Sequence, residues 1–176
     1  MNLPNKLTLL RVALIPVCVI LIALSQFVLA GVVFILAGLT DFLDGHIARK
    51  QSIITNFGRF ADPVADKILS LCVMVALIPY LNFPWWAVSI VAARELAVDG
   101  LRLVAVEQGI VISAGKLGKV KTTFQFLSVI SALFLLPEAL TMALCVIMTV
   151  LTIVSGVQYF YASRQLFSMK NDQETQ

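Results

Sequence analysis

Long apolar stretches fill most of this 176-residue chain, and they limit its architecture more than any other feature. A helix needs about 20 mostly apolar residues to cross a bilayer, and lipid offers no partner to backbone polar groups outside a helix. Only 13% of the residues are charged, whereas soluble domains carry about 25%. The pattern predicts one all-α membrane domain over residues 1–176. Its six predicted spans are 9–25, 28–49, 58–80, 85–106, 120–136 and 141–163.

The segment before the first span has an amphipathic pattern. Leu3, Leu7 and Leu10 fall on one helical face, and Asn5 and Thr8 fall on another. This spacing predicts a short N-terminal helix on the membrane surface that leads into the first span.

Lysine and arginine are concentrated in every second connection between spans. The connections near Gln26, Asn82 and Glu138 contain neither residue. By the positive-inside rule, both termini and the polar loops should lie in the cytoplasm. The basic residues behind this prediction are Lys6, Arg11, Arg49, Lys50, Arg59, Lys116, Lys119, Lys121, Arg164 and Lys170. Separately, the polar composition of the tail 170–176 predicts that it is disordered.

Four aspartates lie near the predicted cytoplasmic ends of spans two and three. Asp41 and Asp44 are three residues apart, and Asp62 and Asp66 are four apart, so each pair shares a helical face. Because the two spans are antiparallel and joined by a short loop, the pairs reach similar depths. Each charge inside a span costs about 2.5–3.5 kcal/mol, and the carboxylates repel one another. Divalent cations would compensate, since hard oxygen ligands suit Mg²⁺ or Mn²⁺, and two ions form a clamp for phosphoryl chemistry.

Small residues accompany the acids. Gly45 and Ala48 follow Asp41 by four and seven residues, and Gly58 precedes Asp62 by four. Small residues also serve helix packing in membranes. Beside four acids, we interpret this face as one that a ligand approaches closely.

These residues form the pattern D-x2-D-G-x2-A-R-x8-G-x3-D-x3-D, from Asp41 to Asp66. The pattern resembles the signature of the CDP-alcohol phosphatidyltransferase family. Further segments resemble bacterial members of that family that use sn-glycerol 3-phosphate. These segments are Leu3-Pro4-Asn5 with Thr8-Leu9-Leu10-Arg11, Ala65-Asp66-Lys67, Ala93-Arg94-Glu95 and Gly118-Lys119-Val120-Lys121-Thr122.

The resemblance implies a fold, a reaction and a location. The fold would be six helices around a polar cavity, usually as a homodimer, in a bacterial plasma membrane with a cytoplasmic active site. The donor would be CDP-diacylglycerol and the acceptor sn-glycerol 3-phosphate, giving phosphatidylglycerophosphate and CMP. Asp41, Asp44 and Asp62 would hold metal ions, while Asp66 would contact a metal and take the proton of the acceptor hydroxyl.

Two groups of binding residues follow from this resemblance and from side-chain chemistry. Arg94 is placed near the acceptor phosphate, which suits its bidentate fork, and Lys119 and Lys121 could bind that phosphate or attract anionic lipids. The donor set is Asn5, Thr8, Gly45, Ala48, Arg49, Thr55 and Gly58, and the acceptor set is Arg59, Arg94, Lys119 and Lys121.

Other interpretations stay open from the sequence. Asp99 and Arg102 are three residues apart and are expected to neutralise each other, while Lys67 would be an internal ion partner or would extend to the membrane surface. Intramembrane acids also mark cation pathways, which makes a small cation transporter the alternative from another functional class. A related transferase could instead use serine or inositol phosphate as acceptor.

Overall fold

The computed structural model describes residues 3–51, 56–107 and 115–164, and the elements in these ranges are all helices. In chain order they are α1 (Leu3–Ala23), α2 (Phe27–Gln51), α3 (Asn56–Leu81), α4 (Trp85–Glu107), α5 (Lys116–Leu133) and α6 (Glu138–Ala162). Each helix coincides with one predicted span, so the predicted all-α class is confirmed. The predicted tail, 170–176, lies outside the described residues.

Helix α1 begins earlier than the sequence pattern predicts. It runs without interruption from Leu3 to Ala23, so the separate surface helix expected before the first span is wrong for residues 3–8. No glycine or proline lies between Asn5 and Ile15 that could end a first helix. The amphipathic segment is therefore the first turns of α1 itself.

Three short turns join the helices in pairs, and each contains a residue in the left-handed conformation. Ser25 has a φ of 57°, Asn82 a φ of 50° and Leu135 a φ of 53°. After α1, the amide of Gln26 donates to the Leu21 carbonyl over 2.8 Å. This six-residue bond closes the helix end in the Schellman pattern. Tight closure explains why these three connections need no long polar loop.

The helices pack around one apolar core. Helix α1 lies against α2 and α3, α6 lies against α4 and α5, and α3 contacts both α4 and α5. The fully buried side chains at the centre include Ile22, Phe34, Leu69, Met74, Leu77, Val91, Leu133 and Met148. Outward positions are also apolar, with Leu96 72% exposed and Val106 70% exposed. A helix bundle that is apolar inside and outside is typical of a lipid environment.

Two of the described helical segments are long and apolar enough to cross a membrane, Val64–Leu81 and Glu138–Ala162. The apolar stretches Leu9–Ala23 and Phe27–Leu39 are shorter. Helix α4 differs from these segments, because four charged residues interrupt it between Arg94 and Arg102. The position of these charges leads to the candidate site.

Candidate active site

A cavity of about 260 Å³ opens where the beginning of α5 and the end of α6 meet the middle and second half of α4. Lys67, from the first half of α3, also borders it. The cavity contains four basic side chains and one acid on its wall. The lining residues are Lys67, Arg94, Glu95, Val98, Arg102, Gly115, Gly118, Lys119, Thr122, Ser155, Gln158, Tyr159 and Ala162.

Glu95 is the centre of the charge network beside this cavity. Its Oε2 lies 3.2 Å from Lys67 Nζ, and its Oε1 lies 3.1 Å from Arg94 Nη1. Lys121 Nζ donates a short hydrogen bond to the same Oε1. The carboxylate is only 5% exposed. A buried acid is costly unless it is paired and hydrogen-bonded, and here three cations from three helices pair with it.

Two charges on α4 have other partners than the sequence spacing suggests. Asp99 forms its ion pair with Lys67. Arg102 donates from Nε to the Tyr159 hydroxyl over 3.2 Å, and its guanidinium lies 5.7 Å from the centre of that ring. The expected neutralisation of Asp99 by Arg102 is therefore wrong, because each side chain reaches a neighbouring helix. The interpretation of Lys67 as an internal ion partner is confirmed.

The predicted acceptor residues divide into three positions. Arg94 and Lys119 line the cavity, and Lys119 is exposed. Lys121 is only 2% exposed and is not among the described residues that line the cavity. The side chain of Arg59 lies outside the described set, so its role stays a prediction.

Arg94 is held on several sides. A methyl group added at Gly156 would lie 3.3 Å from Arg94 Cγ, and one added at Gly118 would lie 3.7 Å from Nη2. Nη1 is paired with Glu95. Nε is buried, and no described residue accepts its hydrogen bond. Because Arg94 also lines the cavity, its guanidinium is suited to a bound oxyanion.

The four aspartates lie on two helices. Asp41 and Asp44 belong to α2, and Asp62 and Asp66 belong to α3. Asp66 is half-buried, and the other three side chains lie outside the described set. Among the side chains that are described, no group of three acids, histidines or cysteines could hold a metal ion. The chemistry of the four predicted ligands fits Mg²⁺ or Mn²⁺, because all of them are carboxylates.

The predicted donor residues stay predictions at the level of their side chains. Most of them belong to α1, α2 or α3 by backbone. Thr55 falls in the connection between α2 and α3, outside the described residues. The full set is Asn5, Thr8, Gly45, Ala48, Arg49, Thr55 and Gly58.

The α6 wall of the cavity was missed by the sequence analysis. Ser155, Gln158 and Tyr159 recur at helical spacing on the last turns of α6 and face the charges of α4. A polar stripe in the most apolar helix was the available signal. Its polar groups are uncharged, so they drew less attention than the lysines and arginines.

Comparisons with known proteins agree on one family. A family model described as CDP-alcohol phosphatidyltransferase matches residues 1–155. A Bacillus subtilis protein named CDP-diacylglycerol–glycerol-3-phosphate 3-phosphatidyltransferase is 41% identical, over 97% of this chain and 99% of its own length. A Rickettsia felis protein of the same name is 35% identical over 94% of this chain and 97% of its own. A Mycobacterium tuberculosis protein named probable phosphatidylglycerophosphate synthase is 39% identical over 90% of this chain and 79% of its own.

Proposed function

This chain belongs to the CDP-alcohol phosphatidyltransferase family, and we propose that it transfers the phosphatidyl group of CDP-diacylglycerol to sn-glycerol 3-phosphate. The products are phosphatidylglycerophosphate and CMP. Relatives that align over nearly their whole length carry this activity in their names. The reaction makes the protein an enzyme of phospholipid biosynthesis.

The observation that carries the choice of acceptor is the cationic cavity. Four cations line it, Lys67, Arg94, Arg102 and Lys119, against one acid, Glu95. A net positive pocket of about 260 Å³ fits a small phosphorylated alcohol better than serine. The same excess of cations disfavours the cation-transport alternative, since cations would be repelled from this cavity.

We assign the donor to α2 and α3, and the acceptor to the cavity. Asp41, Asp44, Asp62 and Asp66 would hold two divalent metal ions, which would supply charge neutralisation at the phosphoryl oxygens. The donor diphosphate and cytidine would lie against the Gly45, Ala48 and Gly58 face of these helices. Asn5, Thr8, Arg49 and Thr55 would donate hydrogen bonds to them.

The chain's own groups then hold the acceptor and take up its proton. Arg94 and Lys119, with Arg59, hold the acceptor phosphate and leave its primary hydroxyl free. Asp66 accepts the proton of that hydroxyl as the oxygen attacks the phosphorus bonded to diacylglycerol. The bond from that phosphorus to the CMP oxygen breaks, and CMP leaves. Lys67 follows Asp66 in α3 and borders the cavity, so this helix connects the base with the acceptor.

We also propose the membrane arrangement that this chemistry requires. All six helices span the bacterial plasma membrane, and both termini and the active site are cytoplasmic. The ends of α2, α4 and α6 and the beginnings of α3 and α5 then lie on one side. The positive-inside pattern of the sequence supports this orientation. Two copies form a homodimer, as the family resemblance implies.

An acceptor panel tests the function. Purified protein with CDP-diacylglycerol and Mg²⁺ or Mn²⁺ is offered glycerol 3-phosphate, serine or inositol phosphate, and CMP release is measured. We expect release with glycerol 3-phosphate, its loss when EDTA removes the metal, and no release from Asp62→Asn, which lacks one carboxylate charge. Release with serine or inositol phosphate alone would assign the protein to a different branch of the family.

A further inference from the structure

Glu95 forms ion pairs with three cations, which is an unusual number for one carboxylate. Lys67 comes from α3, Arg94 from α4 and Lys121 from α5, and all three are bonded to its two oxygens. One negative charge cannot neutralise three positive charges, so the group keeps a net charge of +2. Asp99 lowers this net charge through its ion pair with Lys67. Glu95 therefore organises the cations more than it neutralises them.

Among these cations, Arg94 is the one whose position is fixed by the most contacts. Glu95 holds Nη1, while Gly156 and Gly118 let neighbouring helices approach Cγ and Nη2. A guanidinium held at these points cannot rotate freely. Arg94 lines the cavity, and its buried Nε has no acceptor among the described residues. A planar fork in a fixed orientation binds an oxyanion with two parallel hydrogen bonds.

We propose that Glu95 is the positioning residue of the acceptor site. Its oxygens are bonded to Lys67, Arg94 and Lys121, so it acts through these cations. It fixes Arg94 so that the guanidinium meets the acceptor phosphate at the cavity wall, and it keeps Lys67 and Lys121 from displacing that guanidinium by repulsion. This proposal rests on the proposed function for the identity of the acceptor. The broader ligand class, a small oxyanion, follows from the cationic lining of the cavity and from the planar fork of Arg94.

Two substitutions separate position from charge. Glu95→Gln keeps the size of the side chain and removes its charge, whereas Glu95→Asp keeps the charge and withdraws it by one methylene group. Asp99→Asn is the matched control, because Asp99 pairs with Lys67 but forms no bond to Arg94 or Lys121 in the described part of the structure. Each protein is purified in detergent, and its thermal unfolding is measured to verify folding.

Steady-state CMP release is then measured against glycerol 3-phosphate and, separately, against CDP-diacylglycerol. We expect both Glu95 variants to raise the KM for glycerol 3-phosphate by roughly 10-fold or more, the size of one lost charged hydrogen bond. The KM for CDP-diacylglycerol should stay within about twofold. Asp99→Asn should change either KM by less than about threefold, since its charge is partly exposed to solvent.

Three results would overturn the proposal. An unchanged acceptor KM in Glu95→Gln would remove the positioning role. A wild-type acceptor KM in Glu95→Asp would mean that charge balance alone matters. A parallel loss of both donor and acceptor kinetics, with a lower unfolding temperature, would make Glu95 a structural residue.

A binding measurement separates this proposal from the proposed function. Stabilisation against thermal unfolding is recorded with added glycerol 3-phosphate, without the donor. If wild-type protein is stabilised but releases no CMP, the proposed function fails while the binding site remains. In that case, loss of the stabilisation in Glu95→Gln still supports the positioning role, and its retention refutes that role.

Discussion

Arg94 shows how a long side chain acquires one orientation. Its methylene groups pass Gly156, its Nη1 reaches Glu95 and its Nη2 lies beside Gly118. Fixing a flexible side chain before a ligand arrives lowers the entropy cost of binding. The residue is thus held in one arrangement before any ligand binds.

Removing the Arg94 fork should damage acceptor use selectively. We expect Arg94→Ala to lower kcat/KM for glycerol 3-phosphate by roughly 10- to 150-fold, because one charged hydrogen bond contributes about 1.5–3 kcal/mol. Arg94→Lys should recover little of this loss, since an ammonium group lacks the planar fork. CMP release against each substrate checks this expectation. Weaker CDP-diacylglycerol use with an unchanged acceptor KM would show that the two pockets were assigned in reverse.

The sequence was more informative about which side chains line the cavity than about which side chains pair with each other. Arg94 and Lys119 line the cavity, and both were expected at the acceptor, Arg94 because the family resemblance places it there. The partners of Asp99, Arg102 and Lys121 were not predictable, because each pair joins residues far apart in sequence. Long side chains reach across helices, and spacing within one helix carries no information about that reach.

At the level of the helices, the sequence was informative about number and position. Apolar length predicted six helices, and turn chemistry agrees with their ends, as at Asn82. The exception is α1, whose beginning was assigned to a separate helix. Amphipathicity shows which face is apolar, but it does not show where a continuous helix leaves the surface. Only a breaker residue would have marked that boundary.

The packing of α2 against α5 should depend on the absence of a side chain at Gly38. A methyl group there would lie 2.7 Å from Phe126 Cε1, and that ring is stacked on buried Phe34 with centres 4.8 Å apart. Overpacking of this kind costs about 1–3 kcal/mol. We expect Gly38→Ala to lower the unfolding temperature in detergent.

Gly100→Ala is the matched control, since nothing lies within 4 Å of a methyl group at that helical position. Alanine favours a helix over glycine by roughly 0.5–1 kcal/mol, so this variant should unfold at the same temperature or higher. If the unfolding temperatures of both variants shifted in the same direction by the same amount, the close contact at Phe126 would make no contribution to stability.

At the scale of the whole molecule, the one-sided distribution of basic residues predicts the orientation. In a variant without its three native cysteines, single cysteines at Ser52 and Asp172 should react only with reagent on the cytoplasmic side. Cysteines at Asn82 and Glu138 should react only from outside. Labelling of positions 52 and 82 from the same side of intact cells would contradict a six-span arrangement.

The charged centre of α4 has a consequence for how the protein enters the membrane during synthesis. Arg94 lies nine residues after Trp85, which at 1.5 Å per residue is about 14 Å from the helix start. In the proposed membrane arrangement, this places it near the middle of a roughly 30 Å hydrocarbon core. Alone, each such charge costs about 2.5–3.5 kcal/mol in lipid. Lys67 precedes α4 in the chain, but Lys121 follows it in α5. In the proposed membrane arrangement, Glu95 and Asp99 can pair with Lys67 as soon as α4 is made, whereas Lys121 needs Glu95 as its partner. The helices α3, α4 and α5 should therefore leave the insertion machinery together.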